Sequence, residues 1–337
     1  MKILVTGGAG FIGSNFLKHI LAQYPHYKIV NLDKLTYAGN LDNLSDVEDN
    51  PSYRFIKGDI CDQSLVERVV EDKIDVIINF AAETHVDRSI YDPKIFVGTN
   101  VLGTQVLLES ALKFKIDRFV QISTDEVYGS STKGFFTESS PLLPNSPYSA
   151  SKASADLLVR SYFKTFGLPA IITRCTNNFG PYQFPEKLIP LFITNALSDQ
   201  ELPLYGDGLY VRDWLHVADH GKALDLILHQ GKIGEIYNIS ASHEKTNLEI
   251  TELILKKLSK PKSLIKHVKD RPAHDRRYAL DSSKIRNELG WKPDTSFEEG
   301  LAKTVDWYIA NQKWWQKIKT GEYLEYYQKH YVLGGKT

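Results

Sequence analysis

Two short runs carry the residue types best suited to chemistry: Ser123-Thr124-Asp125-Glu126-Val127-Tyr128-Gly129 and Tyr148-Ser149-Ala150-Ser151-Lys152. The first offers hydroxyls and two adjacent carboxylates, the second a phenol and an amine. Pro147 ahead of a Ser/Ala/Leu-rich stretch predicts a helix to about Phe166 with proline in its first turn. Tyr148 and Lys152 are i, i+4 on that helix and share one face. A phenol ionises near pH 10 in water, so deprotonating it at pH 7 costs about 4 kcal/mol. A cationic amine one helical turn away lowers that cost. Tyr148 and Lys152 therefore read as a base for an alcohol, with Thr124 placed to hydrogen-bond the same oxygen.

These groups need elements to bring them together. Ile116 to Ile122 is apolar and β-branched and reads as a buried strand, so the Ser123 cluster begins where a strand ends. In an open α/β sheet, ligands bind outside the carboxyl ends of the strands. The chain starts with such a unit. Lys2–Thr6 is a strand, Gly7, Gly10 and Gly13 follow in G-x-x-G-x-x-G spacing, and a helix runs to about Tyr24. A second strand, Lys28 to Leu32, ends in Asp33, twenty residues after Gly13. Glycines at these places allow a tight turn and close approach of a pyrophosphate to a helix N-terminus. A merely structural glycine turn would not need the strand, helix, strand and acid in this order. Asp33 accepts hydrogen bonds from ribose hydroxyls and repels a 2′-phosphate, which favours NAD over NADP, although Lys34 stands beside it. A bound cationic nicotinamide would favour the Tyr148 phenolate further, as hydride leaves the alcohol carbon.

The alternation continues through Tyr53–Lys57 (strand), Gln63–Asp72 (helix), Ile74–Phe80 (strand) and Pro93–Phe114 (long helix). Gly58-Asp59-Ile60 offers a carboxylate and an amide for an adenine edge, and the small residues at Ala81-Ala82 permit close approach to a cofactor. The expected fold is a doubly wound, mostly parallel Rossmann-type sheet with a smaller C-terminal α/β lobe. Residues 1–175, with interleaved later segments, form the NAD-binding domain, and 176–337 mainly a substrate lobe. After the strand Ala170–Arg174, residues 175–187 read as a polar, aromatic, proline-broken loop. Helices follow at Leu188–Leu197, Val217–Gln230 and Asn247–Leu258, with strands at Leu202–Tyr205, Tyr210–Leu215 and Glu235–Ile239. Arg212, Arg271, His274, Arg276 and Arg277 form no obvious solvated helix face; two or more of the arginines could grip a diphosphate. Trp307, Trp314, Trp315, Tyr323, Tyr326 and Tyr327 read as packing or a subunit contact.

The bulk properties exclude other classes. Lys+Arg and Asp+Glu balance at 41 each in 337 residues, which argues against a nucleic-acid or membrane partner recruited by charge. Cys61 and Cys175 stand in unrelated settings, so neither a disulfide framework nor a metal site is indicated, and His85 reads as a polar loop neighbour. No signal-peptide core precedes Gly7, and no uncharged apolar run approaches about 20 residues. The expectation is a soluble, cytoplasmic enzyme.

With these residues in place, the chain resembles the extended short-chain dehydrogenase/reductase family, and within it the dTDP-glucose 4,6-dehydratases. The strings that carry the resemblance are Asp33-Lys34-Leu35-Thr36-Tyr37-Ala38-Gly39-Asn40, Glu83-Thr84-His85-Val86-Asp87-Arg88-Ser89, Thr124 to Gly129, Asn177 to Leu188, Arg212-Asp213-Trp214 and Asp270 to Arg277. It covers about residues 1 to 315, and Asp125-Glu126 is its most discriminating piece. Two positions depart from the pattern: Ala273, usually glycine, and Phe179, often tyrosine. The resemblance implies that Tyr148 takes the proton of the sugar 4-hydroxyl as hydride passes to NAD. Glu126 then removes the C5 proton, Asp125 protonates the departing 6-hydroxyl, and hydride returns to C6. It implies NAD contacts at Gly7, Gly10, Phe11, Ile12, Gly13, Asp33, Lys34, Leu35, Thr36, Asp59, Ile60, Phe80, Ala81, Ala82, Glu83, Thr99, Tyr148, Lys152 and Asn178. The sugar nucleotide would meet Thr84, Thr124, Asn177, Lys187, Leu188, Pro203, Leu204, Tyr205, Arg212, Asn247, Asp270, Arg271 and His274. It further implies a homodimer, through helices near Pro93–Phe114 and Pro147–Phe166, and a place in deoxysugar synthesis such as the rhamnose route. A dehydratase of another nucleotide sugar stays open. A 4-epimerase or decarboxylase needs the Tyr/Lys pair but no elimination acid and base, and a non-catalytic NAD sensor needs none of these groups.

Overall fold

The computed structural model describes residues 1–327. Seven strands form one parallel sheet: β1 (Lys2–Thr6), β2 (Lys28–Asp33), β3 (Tyr53–Lys57), β4 (Val76–Asn79), β5 (Arg118–Thr124), β6 (Ala170–Cys175) and β10 (Ile236–Ile239), in the order β10-β6-β5-β4-β1-β2-β3. Between β6 and β10 come β7 (Asn177–Phe179), β8 (Leu202–Tyr205) and β9 (Val211–His216); β11 (Glu244–Thr246) and β12 (Ile265–Val268) follow. A parallel sheet is covered on both faces, which is why its strands read as unbroken apolar runs. Side chains still alternate. Ile3 and Val5 enter one core with Phe16, Ile20 and Leu224, while Leu4 enters the other with Val66, Leu107 and Phe119. Strand order reverses beside β1, and the crevice opens at the carboxyl ends of β1 and β4.

A smaller lobe is built on a third core, with Ile193, Phe192, Trp214, Ile250 and Leu301. It carries the three-stranded sheet β11-β9-β7 and the parallel pair β12-β8. The segment 217–240 returns to the large lobe, where its helix Val217–Gln230 packs on the helix Phe11–Gln23.

Several elements differ from the sequence reading. The expected loop at 175–187 contains β7, which pairs with β9 and is therefore fixed by partners far along the chain. β5 begins at Arg118 rather than Ile116 and carries Ser123 and Thr124 as its last residues. The helix from Pro93 is continuous but winds as a π-helix over Val97–Gly103 before resuming its α pitch at Thr104. By length and composition alone, Pro93–Lys113 would also suffice to cross a membrane. It packs instead against the helices Gln63–Glu71 and Pro147–Phe166, as a core helix does. The C-terminal aromatics pack inward: the Tyr182, Trp307 and Trp314 rings lie 4.7 to 6.0 Å apart, and Trp315 and Tyr323 are buried. The side chain of Tyr326 lies outside the described residues.

Candidate active site

Local sequence fixes the helix that carries Tyr148 and Lys152. Ser146 and Ser149 form a reciprocal cap, Pro147 occupies the first turn, and Gly167 closes the far end in the left-handed conformation. The cap sets the helix start one residue before Tyr148, and both side chains are buried against the end of β5. Lys152 donates to the Ile122 carbonyl at 2.7 Å. Thr124 ends β5 and caps the 3₁₀ turn Asp125–Tyr128, so the carboxylates enter the crevice at a strand end. Tyr128 turns away into a buried network, donating to Asn238 and receiving from Arg174.

A cavity of about 280 Å³ runs along the carboxyl ends of the strands. Gly7, Gly10, Phe11, Ile12, Gly13, Asp33, Lys34, Thr36, Asp59, Ile60, Phe80, Ala81, Ala82, Glu83, Thr99, Tyr148, Lys152 and Asn178 all line it, as do Thr84, Thr124, Asp125 and Glu126. Leu35 does not. Its backbone amide supports Asp33, while its side chain packs against the core beneath. Gly7 has φ +70°, and a Cβ there would sit 2.6 Å from the Ala81 nitrogen. The first turn of the helix Phe11–Gln23 has no side-chain cap, leaving its amides to face the cavity. Asp33 is braced by the amides of Ala9 and Leu35 at 2.9 and 2.8 Å. Lys34 pairs with Asp59 at 2.7 Å, so the cation beside Asp33 is already engaged. These residues fit a dinucleotide. So do buried oxygens without hydrogen-bond partners on the same wall, Asp125 Oδ2, Thr176 Oγ1, Asn177 Oδ1 and Asn178 Oδ1.

A second cavity, about 150 Å³, opens between the two lobes: His85, Val86, Asp87 and Glu126 of the large lobe face Lys187, Leu188, Pro203, Leu204, Tyr205, Arg212, Asn247, Arg271 and His274. Glu126, Asn177, Glu186 and Lys187 line both cavities, so the two share a wall. Asp270 is the one expected substrate residue outside both linings; it holds His274 at 2.6 Å and the Arg271 amide at 2.9 Å. His274 is stacked on Tyr210, with centroids 3.6 Å apart. Arg276 and Arg277, from the same basic run, are drawn away to Asp207 and Glu244. Unassigned by the sequence reading are Asp87, Glu186, Cys175, Gln183 and Tyr278, which also line these cavities. Asp87 and Glu186 stand inside the strings that carried the resemblance, but their inward direction depends on the fold.

Burial dominates the electrostatics. It pushes Asp125 up to about 8, helped by the neighbouring Glu126 and opposed by a hydrogen bond from Thr124. Burial also raises Glu126, against the pull of Arg271, Lys187 and Arg212. Tyr148 is driven well above the usual phenol value by burial and then by Glu126 and Asp125. Lys152 is itself lowered by burial, with Asp156 opposing. His85 is buried and held to about 4, hence neutral. Among the described residues no cluster of metal-ligating side chains occurs.

A dinucleotide-binding sheet, a base pair of phenol and amine, and a second cavity bearing arginines define a class: enzymes that work on a sugar nucleotide held beside a redox cofactor. Residues 4–304 match the family model described as GDP-mannose 4,6 dehydratase, and the chain belongs to that family. It is 53% identical over 324 residues to the dTDP-glucose 4,6-dehydratase of Streptomyces niveus, covering 95% of this chain and 96% of that protein. The crystal structure of DesIV, the dTDP-glucose 4,6-dehydratase of Streptomyces venezuelae with NAD and TYD bound, superposes with a TM-score of 0.93 at 53% identity. That match covers 95% of this chain and all of the other. UDP-glucose 4-epimerase of Thermotoga maritima, solved with UDP-glucose, reaches a TM-score of 0.86 at 30% identity, covering 93% of this chain and 100% of that one.

Proposed function

We propose that this chain is an NAD-dependent dTDP-glucose 4,6-dehydratase, forming dTDP-4-keto-6-deoxyglucose for deoxysugar synthesis. The observation that carries the reading is the shared wall: Glu126 lines both cavities, with Asp125 and Thr124 beside it and Tyr148 in the cofactor cavity. NAD would lie over Gly7, Gly10 and Gly13, with Asp33 at the ribose and Asn178, Tyr148 and Lys152 near the reacting end. Bound there, it supplies a reversible hydride acceptor. Tyr148 takes the proton of the 4-hydroxyl, with Thr124 holding the oxygen and Lys152 supplying positive charge. A 4-keto group acidifies C5, whose proton Glu126 removes. Three cations near Glu126 oppose the rise that its burial causes, while burial keeps Asp125 protonated to deliver its proton to the 6-hydroxyl, which leaves as water. Glu126 finally returns a proton to C5. The epimerase alternative shares the fold and the base but leaves Asp125 and Glu126 without work.

The large lobe, residues 1–175 with the returning segment 217–240, serves NAD on this reading, and the small lobe serves the sugar nucleotide. The working enzyme is a cytoplasmic homodimer. Its support is an apolar face on two packed helices, where Ile95, Val97, Leu102 and Leu157 are each half exposed or more. Incubating the NAD-loaded protein with dTDP-glucose tests the activity. Mass spectrometry should show loss of one water over many turnovers with no accumulating NADH. Stoichiometric NADH, or a product of unchanged mass, contradicts the reading.

A further inference from the structure

Asp87 has no part in the reaction outlined above, yet it is buried in the wall of the second cavity. It sits on the short helix Val86–Tyr91, which follows β4 and so belongs to the large lobe. Its carboxylate reaches across to the small lobe. Oδ2 accepts from the Tyr205 hydroxyl at 3.1 Å, and Oδ1 lies 3.3 Å from Nη1 of Arg271. Tyr205 ends β8, whereas Arg271 lies on an irregular loop beyond β12. A long side chain on such a loop carries about 2 kcal/mol of rotamer entropy, and two further cations, Lys187 and Arg212, line the same cavity. Of the anions on the facing wall, Asp87 acts on the Arg271 guanidinium most strongly, ahead of Glu126, and opposes the repulsion and entropy that would disperse it.

The manner of the pairing matters. Nη1 of Arg271 is buried and makes no hydrogen bond, so the ion pair holds the guanidinium by charge while leaving that donor open. A buried ion pair is weak evidence for net stability, because desolvation offsets its attraction. It can still fix an orientation. The next residue acts alike on a second loop: Arg88 pairs with Glu186 at 3.1 Å, beside Lys187, whose ammonium donates to the Thr84 carbonyl at 3.0 Å.

We propose that Asp87 is a positioning residue that, with Tyr205, pre-orients Arg271 to grip the diphosphate of the sugar nucleotide. This rests on the reading of Arg271 as a diphosphate ligand. Because a diphosphate is bound alike in ground and transition states, loss of the strut should raise KM and spare kcat. The test titrates the NAD-loaded enzyme with dTDP by calorimetry and measures KM and kcat with dTDP-glucose. The variants are Asp87→Asn, Arg271→Ala and the double variant. Asp87→Asn should weaken dTDP binding and raise KM by about 10-fold, with kcat within about 2-fold; Arg271→Ala should weaken binding by about 100-fold. The double variant should bind no worse than Arg271→Ala alone. If Arg271→Ala leaves dTDP affinity unchanged, the diphosphate reading falls and the inference with it. If Arg271→Ala weakens binding but Asp87→Asn does not, or the two effects add, only the inference is overturned. Should Asp87→Asn yield no NAD-loaded protein, Tyr205→Phe decides. It should weaken dTDP binding by about 3-fold, roughly one lost hydrogen bond, and only when Arg271 is present. An unchanged affinity overturns the proposal.

Discussion

At the scale of single residues, the division of labour proposed for Asp125 and Glu126 rests on their surroundings. Both are buried, but Glu126 faces Arg271, Lys187 and Arg212, whereas the leading influences on Asp125 after burial include the negative Glu126. Burial raises both, but cations restrain only Glu126 strongly, which is the basis for proposing Asp125 as the acid and Glu126 as the base. The raised Asp125 has a consequence for stability. Its pKa of about 8 in the folded protein lies above the unfolded value of 3.8. Below the unfolded value both states hold the proton and no penalty exists. As pH rises from there through 8, the folded state is progressively disfavoured. Asp125→Asn should therefore melt higher than the wild type at pH 9, with the difference vanishing near pH 4, while elimination is lost. Thermal melts of the NAD-loaded protein across this range check it. A difference that is constant with pH would mean Asp125 is ionised in the folded protein at neutral pH.

At the scale of elements, legibility followed the range of the interactions that make each one. The helix Pro147–Phe166 is announced by its own Ser-Pro start and glycine stop, so the sequence shows Tyr148 and Lys152 on one face, and both line the cavity. The glycine turn and the strand leading to Asp33 were likewise visible, because each is fixed within some thirty residues of chain. β7, β11 and β12 were not, since three or four residues form a strand only when a distant partner supplies the hydrogen bonds. The π winding at Val97–Gly103 was also hidden. It accompanies Asn100, which bonds both the amide and the carbonyl of Glu83 and reaches Ser151 on the Tyr148 helix, three contacts that only the fold assembles. The departure at Ala273 now has a physical meaning, because that residue has φ +51°, a conformation glycine adopts freely. Ala273→Gly should stabilise the protein by up to about 1 kcal/mol, reduced by the greater entropy of the unfolded chain. Differential scanning calorimetry should register a small rise in Tm. A fall would show that packing of the methyl group outweighs the backbone strain.

At the scale of the whole molecule, both cavities are lined by residues of the two lobes, and their walls meet at Glu126, Asn177, Glu186 and Lys187. The same scale governs assembly. Leu102 is 54% exposed on a helix whose other face is in the core, and its burial in a homodimer would contribute about 1–2 kcal/mol per copy. Leu102→Glu should shift the protein toward monomer in light scattering at micromolar concentration. An unchanged mass would place the subunit contact elsewhere.

The central claim is that one active site oxidises C4, eliminates water and returns the same hydride to C6. The most direct measurement uses dTDP-glucose carrying deuterium at C4, turned over by the NAD-loaded enzyme in ordinary water. The account predicts a dehydrated product that retains one deuterium, located at C6 by NMR. Deuterium lost to solvent or trapped on released cofactor, or retained at C4 of an undehydrated sugar, would contradict it.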